Sequence, residues 1–296
     1  MKLAYWTKYE RLFKNFSPLQ VYGIVLEFAR ALGDPYPRQK RGRPPKLLPH
    51  EYAAYIAYQI LMRNSPFRVM EYESTLYLRA HVDHSTLTVN FERISHEYFL
   101  DLVEQSGAYL ERLLDYSEQY VIDSTAVTSP LVFLSENKGR IVEEKIEYRS
   151  HVIASIHKAD HTVCIRKALA TTKQVADCEG ARRMIAQGDL HNIILHGDRG
   201  YDYERVYQAC NNANIKPNIR PQSYLAREET ERMLGLLEYS DEKRKATRGI
   251  IETIFGGLTN AKLLITRLRI ESKILAYCAI VLLRHNVLSI LRNMNY

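Results

Sequence analysis

The sequence predicts a mixed α/β (α+β) protein, with a mixed sheet and flanking helices preceded by an all-helical region. Three observations predict it. Apolar residues recur at helical spacing through about the first 114 residues. From Gln119 onward, β-branched runs follow one another with turn residues between them. Beyond about residue 175, helical and strand patterns alternate, which implies a sheet covered by helices.

Ser17 to Leu32 carry Leu19, Val21, Ile24, Val25, Phe28 and Leu32 at helical spacing, and Gly33-Asp34-Pro35-Tyr36-Pro37 ends that helix. Pro37 to Lys46 then hold five positive charges, Arg38, Lys40, Arg41, Arg43 and Lys46, and no acid. Their prolines and glycine disfavour regular structure, so the segment reads as an extended basic arm. Glu51 to Arg63 and Phe67 to Leu78 read as two helices across the tight turn Asn64-Ser65-Pro66, with Ser65 as cap and Pro66 as first helical residue. Such a pair fits either a groove-reading helix-turn-helix or a plain helical support module. A further helical stretch starts at Asp83-His84-Ser85-Thr86, whose side-chain oxygens can cap it, and runs with a break near Ser95 to about Leu114.

Tyr120-Val121-Ile122, His151 to Ile156 and Thr162 to Leu169 read as three consecutive strands. A helix over Val175 to Gln187, a strand over Asn192 to His196, a helix over Tyr203 to Asn211 and a strand over Ile215 to Ile219 follow. Pro221 to Thr247 are charged and irregular, with Arg227 to Leu237 helical in pattern, and read as an insertion. A helix from about Arg248 to Leu264 returns to the sheet, and an apolar helix runs from about Glu271 to Leu291.

Composition bounds the function. Charged residues at 25% and hydrophobic ones at 46% describe a folded globular chain and exclude a disordered one. The 41 Lys and Arg against 34 Asp and Glu give +7, an excess that favours approach to a polyanion, and its clustering in the arm points to nucleic acid. Cys164, Cys178, Cys210 and Cys278 lack the spacing of zinc or redox motifs and read as free thiols. No apolar segment follows Met1-Lys2, and stretches such as Ile274 to Leu283 are too short to span a bilayer, so a cytoplasmic protein without membrane contact is expected.

Asp123 ends the apolar run Tyr120-Val121-Ile122, and Asp198 ends Ile193-Ile194-Leu195-His196-Gly197. A carboxylate at the end of a buried strand must be solvated or paired with a cation. Two such acids, 75 residues apart, meet at one sheet edge if their strands are parallel neighbours, and their mutual repulsion is then relieved by a divalent metal. Glu252 can supply a third carboxylate if Ile251, Ile254 and Phe255 face the sheet and leave it at the margin. Magnesium suits all-oxygen ligands and keeps waters, and two such ions activate an attacking oxygen and stabilise a leaving one in phosphodiester chemistry. Each acid also has a plainer reading. Asp123 and Asp198 could accept backbone hydrogen bonds in their own turns, and Glu252 could pair with Arg248.

Val121-Ile122-Asp123-Ser124-Thr125, His196-Gly197-Asp198-Arg199-Gly200-Tyr201-Asp202 and Arg248-Gly249-Ile250-Ile251-Glu252-Thr253-Ile254-Phe255 resemble the three acidic motifs of the DDE transposases of prokaryotic insertion sequences. The resemblance implies a ribonuclease-H-like catalytic core, with Asp123, Asp198 and Glu252 as catalytic and metal-binding residues for two Mg2+ (or Mn2+) ions. It also implies double-stranded DNA as partner, both transposon terminal inverted repeats and target, and a homodimer when DNA-bound. Gly42-Arg43-Pro44 and Asp83-His84-Ser85-Thr86-Leu87 are similar to the family's N-terminal DNA-associated segment, and Arg41-Gly42-Arg43-Pro44 also resembles an AT-hook core, which leaves groove insertion and a plain basic linker both open. Arg248 matches the arginine four residues before the family's glutamate. Lys245 stands where many members have tyrosine and Thr259 where they have lysine, so Lys262 and Arg267 are candidates to replace the contacts to transposon-end phosphates. The expected organisation is a helical DNA-binding region, residues 1–117, and a catalytic domain, residues 118–296, with an insertion near 221–247. The rival expectations are a metal nuclease that hydrolyses without joining, and a non-catalytic DNA-binding descendant of a transposase.

Overall fold

The computed structural model describes residues 16–38, 46–137, 140–157, 162–222 and 230–294. Lys40, Arg41 and Arg43 of the basic arm lie outside the described residues.

The N-terminal region is helical throughout its described part. Helix α1 (Pro18–Leu32) opens with a capping box, in which the Ser17 side chain accepts from the first turn while Gln20 accepts from the Ser17 amide. Helix α2 (Pro49–Arg63) follows and ends on Asn64 in the left-handed region, at φ 48. Helix α3 (Phe67–Leu78) has the expected bounds, but its cap differs. Pro66, not Ser65, is its N-cap, because the Pro66 carbonyl accepts from Val69 and Met70 and no side chain caps the turn. Asp83 caps α4 (His84–Arg93) and Ser95 caps α5 (His96–Arg112), which accounts for the break at Ser95.

The sheet contains β1 (Gln119–Asn137), β2 (Arg140–His157), β3 (Thr162–Thr172), β4 (Ile194–Gly197) and β5 (Lys216–Ile219) in the order β3-β2-β1-β4-β5. The first three pair antiparallel, while β4 and β5 add in parallel on the other side of β1. This is the ribonuclease-H-like mixed sheet that the sequence predicts. Helices α6 (Asp177–Ile185) and α7 (Glu204–Asn212) make the crossovers, α8 (Thr230–Leu237) lies between β5 and α9 (Asp241–Asn260), and α10 (Glu271–Met294) follows.

Alternation along β1 explains its unbroken apolar run. Val121 joins a core that also holds Val152, Ala154, the N-terminal helices and α10, whereas Tyr120 and Ile122 join the core under α6 and α7. Helix α10 is buried on every side from Ala276 to Leu291 and packs against α5, β3 and α2. Contrary to expectation, α10 is long and apolar enough to cross a membrane by length and composition, but 94% of its apolar window is buried within the protein, as in a core helix.

Two differences from the expected elements bear on the site. The β1–β2 hairpin is far longer than the apolar runs suggested, pairing as far as Asn137 and Arg140 past a register shift between Thr128 and Val132. Helix α9 starts at Asp241 rather than Arg248, because Ser240 caps it and Asp241 and Glu242 suit its first turn. It ends at Asn260, after which Thr128 of β1 exchanges backbone bonds with Leu264 and Thr266.

Candidate active site

The parallel register of β1 and β4 pairs Tyr120 with Leu195 and Val121 with His196. Two residues farther along lie Asp123, inside β1 and not at its end as the sequence suggested, and Asp198, just past the end of β4, so the two stand at matching positions beside the C-terminal end of β4. A Cβ at Gly197 would meet Ile122 Cγ2 at 3.2 Å, so the glycine lets the two strands approach without displacing that side chain. Helix α9 packs on β1 and β4 through Ile251, Ile254 and Leu258, all nearly fully buried, with Phe255 half-buried beside them. That packing leaves Glu252 exposed at the margin. Asp123, Asp198 and Glu252 line one cleft of about 180 Å³, together with His196, Arg244 and Thr247.

The plainer readings of the two aspartates hold at the same time. Asp123 Oδ1 accepts from the Ser124 amide at 2.8 Å, and Asp198 Oδ1 accepts from the Gly200 amide at 2.8 Å. A carboxylate has about four lone-pair sites, so shaping its own turn does not exhaust either group's capacity to serve the cleft as well. The side chain of Arg248 lies outside the described residues; its backbone sits one turn before Glu252 on α9.

A second set of groups lies beside the cleft. Ser124 Oγ donates to Asp177 Oδ1 at 2.7 Å, and Arg149 pairs with the same carboxylate. Burial would raise the Asp177 carboxyl, but the hydrogen bonds from Arg149 and Ser124 outweigh it and hold the group below its ordinary range. Asp177 is thereby committed to anchoring the β1 end on α6. Burial, reinforced by Asp123 and Asp177, pushes the Tyr201 phenol well above its ordinary value, so the phenol stays neutral.

The donor types suit a hard divalent cation, although the three carboxylates do not stand within 4.8 Å of one another. Three carboxylates from separate elements converge on the cleft, no thiol lines it, and the space is many times the ~30 Å³ that one water occupies. Four cysteines elsewhere are free thiols, as expected.

A family model described as the transposase DDE domain matches residues 118–288. The chain belongs to the DDE transposase family. The match begins just before β1 and ends within α10, so it takes in all three acidic motifs of this transposase. No curated protein matches the chain.

Of the remaining predicted residues, Arg38 is exposed and bonds Asp34, Lys46 is exposed and donates to the His81 carbonyl, and Lys262 and Arg267 are exposed beyond the α9 end. Sequence reasoning missed Arg244, which is 6% exposed, lines the cleft, and is fixed by Tyr239 Oη at 3.0 Å and Asp241 Oδ1 at 2.9 Å. The signal that could have found it is its spacing of two turns before Glu252, which carries meaning only on a helix that starts at the Ser240 cap.

Proposed function

We propose that the chain cuts DNA at transposon ends and joins the freed 3′-hydroxyl to target DNA, with Asp123, Asp198 and Glu252 holding two Mg2+ or Mn2+ ions. The observation that carries this reading is the convergence of the three acids, distant in sequence, on one cleft. When bound there, such ions supply an activated attacking oxygen and charge stabilisation for the leaving one. The chain's own part is positional. β1 and β4 set the two aspartates side by side, α9 brings the glutamate, and Arg244 contributes a fixed cation at the cleft wall where a phosphate would lie.

DNA contact falls in this reading to Arg38, Lys40, Arg41, Arg43 and Lys46 of the arm and to Arg248, Lys262 and Arg267 around α9. The division into a DNA-binding region, 1–117, and a catalytic domain, 118–296, is one of role rather than of core. One hydrophobic cluster runs from Val21 to Leu291 and joins the two. If α2 and α3 act as a helix-turn-helix, α3 is the reading helix, since Tyr52 to Leu61 of α2 are buried while Val69, Tyr72 and Leu76 of α3 are exposed. Handling two inverted ends calls for a homodimer on DNA.

The test is cleavage and strand transfer on DNA taken from the flanks of the coding region. Asp123→Asn, Asp198→Asn and Glu252→Gln should each abolish both reactions and leave end binding within about twofold, because the basic surface is untouched. Cleavage retained by any one variant removes that residue from the site, and cleavage without joining in the parent protein replaces the transposase reading by the nuclease one.

A further inference from the structure

Beside the cleft, side-chain hydrogen bonds run across three strands and end on the helix that carries Glu252. Gln119 in β1 lies four residues before Asp123, and His196 in β4 lies two before Asp198. Asn218 in β5 pairs in register with His196. His196 and Asn218 are 1% and 4% exposed, so their bonds form away from solvent competition. His196 Nε2 is 2.8 Å from Gln119 Oε1, and Asn218 Nδ2 is 2.8 Å from His196 Nδ1. Asn218 Nδ2 also donates to the Ser240 carbonyl at 3.1 Å, and the Ser240 amide donates to Asn218 Oδ1 at 2.8 Å.

The partners fix every orientation along this path. The Ser240 amide can only donate, so Asn218 must present Oδ1 to it and Nδ2 to the histidine. Gln119 spends its amide nitrogen on Glu118 at 3.1 Å and presents Oε1 to the histidine. The imidazole therefore carries hydrogen on Nε2 and a lone pair on Nδ1. Ser240 is the N-cap of α9, so the Asn218 bonds grip the first residue of that helix on both its amide and its carbonyl. Pinning an N-cap fixes the helix in rotation and along its axis. Glu252 lies twelve residues on, so a change of phase at the cap is carried to its carboxylate.

We propose that His196 is a positioning residue for the acid cleft, acting through Asn218 and Ser240 to set α9, and with it Glu252, against the aspartates of β1 and β4. The proposal rests on the reading of the three acids as the cutting site. It assigns His196 no contact with substrate. One side chain couples the two aspartate strands to the glutamate helix, which packing of Ile251, Ile254 and Leu258 alone would leave able to slide.

Two polar substitutions separate this role from bulk stability. His196→Asn places an oxygen near the Nδ1 position, keeping the acceptor for Asn218 while giving up Gln119. His196→Gln extends an amide toward the Nε2 position, keeping the donor to Gln119 while giving up Asn218. Both remove one buried hydrogen bond and should shift the unfolding midpoint alike. Amide exchange is measured in the full-length, metal-free protein over 240–252, and cleavage is measured at saturating DNA. With His196→Gln, exchange in the first turns of α9 should quicken about tenfold and kcat should fall about tenfold at unchanged DNA affinity, whereas His196→Asn stays within about threefold of the parent. Asn218→Ser breaks the same link from the other side and should match His196→Gln, which covers the case in which that variant does not fold. Parental exchange in both His196→Gln and Asn218→Ser, or equal effects of the two histidine variants, overturns the proposal. Asp198→Asn serves as the control. It should leave α9 exchange unchanged and abolish cleavage, and its retention of cleavage would count against the cutting site alone, because the exchange result still decides the role of His196.

Discussion

Replacing Arg232 by methionine should destabilise the protein by about 3–5 kcal/mol, the usual cost of breaking a buried ion pair from one side. The pair in question ties α8 to the second acidic motif. Arg232 in α8 and Asp202 have side chains 2% and 0% exposed. The guanidinium Nε donates to Asp202 Oδ1 at 2.9 Å and a terminal nitrogen donates to Oδ2 at 2.7 Å. Tyr207 Oη and the Gln222 amide donate to the same carboxylate at 2.9 and 2.6 Å. Methionine keeps the length and apolar stem of the arginine but leaves Asp202 as a buried anion with two neutral donors. Against a typical total of ~5–15 kcal/mol, that loss is a large fraction of the stability. Urea denaturation followed by circular dichroism measures it, with amide exchange over 230–237 to detect separate release of α8. Adding Asp202→Asn removes the stranded charge, so the double variant should be more stable than Arg232→Met alone. A cost below about 1 kcal/mol for Arg232→Met, or a double variant that loses the sum of the two single effects, would refute the argument that the pair acts as a unit.

Two further expectations concern pH and DNA. Burial pushes both His285 and His151 down to about 4, and His285 donates from Nε2 to the Val163 carbonyl at 2.8 Å. Because the folded value lies below the unfolded one near 6.5, each histidine contributes stability that is whole above about pH 6.5 and is lost as pH falls toward about 4, roughly 2 kcal/mol of it by pH 5. His285→Gln should therefore flatten the fall in urea midpoint between pH 7 and pH 5, and an unchanged slope would show that the group titrates as it does in the unfolded chain. In the arm, Arg41→Ala with Arg43→Ala should weaken DNA binding and lower the slope of log K against log salt by about one for each phosphate no longer neutralised. The loss should be larger on A·T-rich than on G·C-rich ends if the arm enters the minor groove, and an unchanged slope would remove both residues from the backbone.

The strand order and the meeting of the acids were legible because they depend on short apolar runs whose ends are marked by charge. Ile193 to Gly197 before Asp198 announce a buried strand that stops there, whereas β1 runs fourteen residues past Asp123, so the end of the apolar run Tyr120-Val121-Ile122 marks where burial is lost rather than where the strand ends. The far half of the β1–β2 hairpin was not legible. Its strand character comes from backbone pairing across residues such as Glu143, Glu144 and Lys145, which supply no apolar stripe that a sequence pattern could report. The start of α9 was hidden for a related reason, since Asp241 to Lys245 carry charge without apolar periodicity and owe their helix to the Ser240 cap and to Asn218 on another strand. The union of the N-terminal helices with α10 is a tertiary fact. Its only sequence signal is that α10 is apolar all round, which marks a helix enclosed by others without naming them.

The departures from the family pattern on α9 gain a physical sense from the helix itself. Lys245 pairs with Asp241 at 2.8 Å along the same face, and Thr259 donates to the Phe255 carbonyl at 2.9 Å. Both positions are thus used inside the helix, one to support its first turn and one to satisfy its last carbonyls. Under the proposed function, a phosphate that these two positions do not hold would fall to a neighbouring element. The segment after α9 qualifies by position, because Thr128 of β1 holds it beside the sheet through Leu264 and Thr266, which fixes the backbone between exposed Lys262 and Arg267. Lys262 adopts φ 56, so the chain leaves the line of α9 just past the helix end. Arg244 is the one arginine or lysine among the described side chains lining the cleft, so under the proposed function the inner positive charge falls to it and the outer contacts to Lys262 and Arg267.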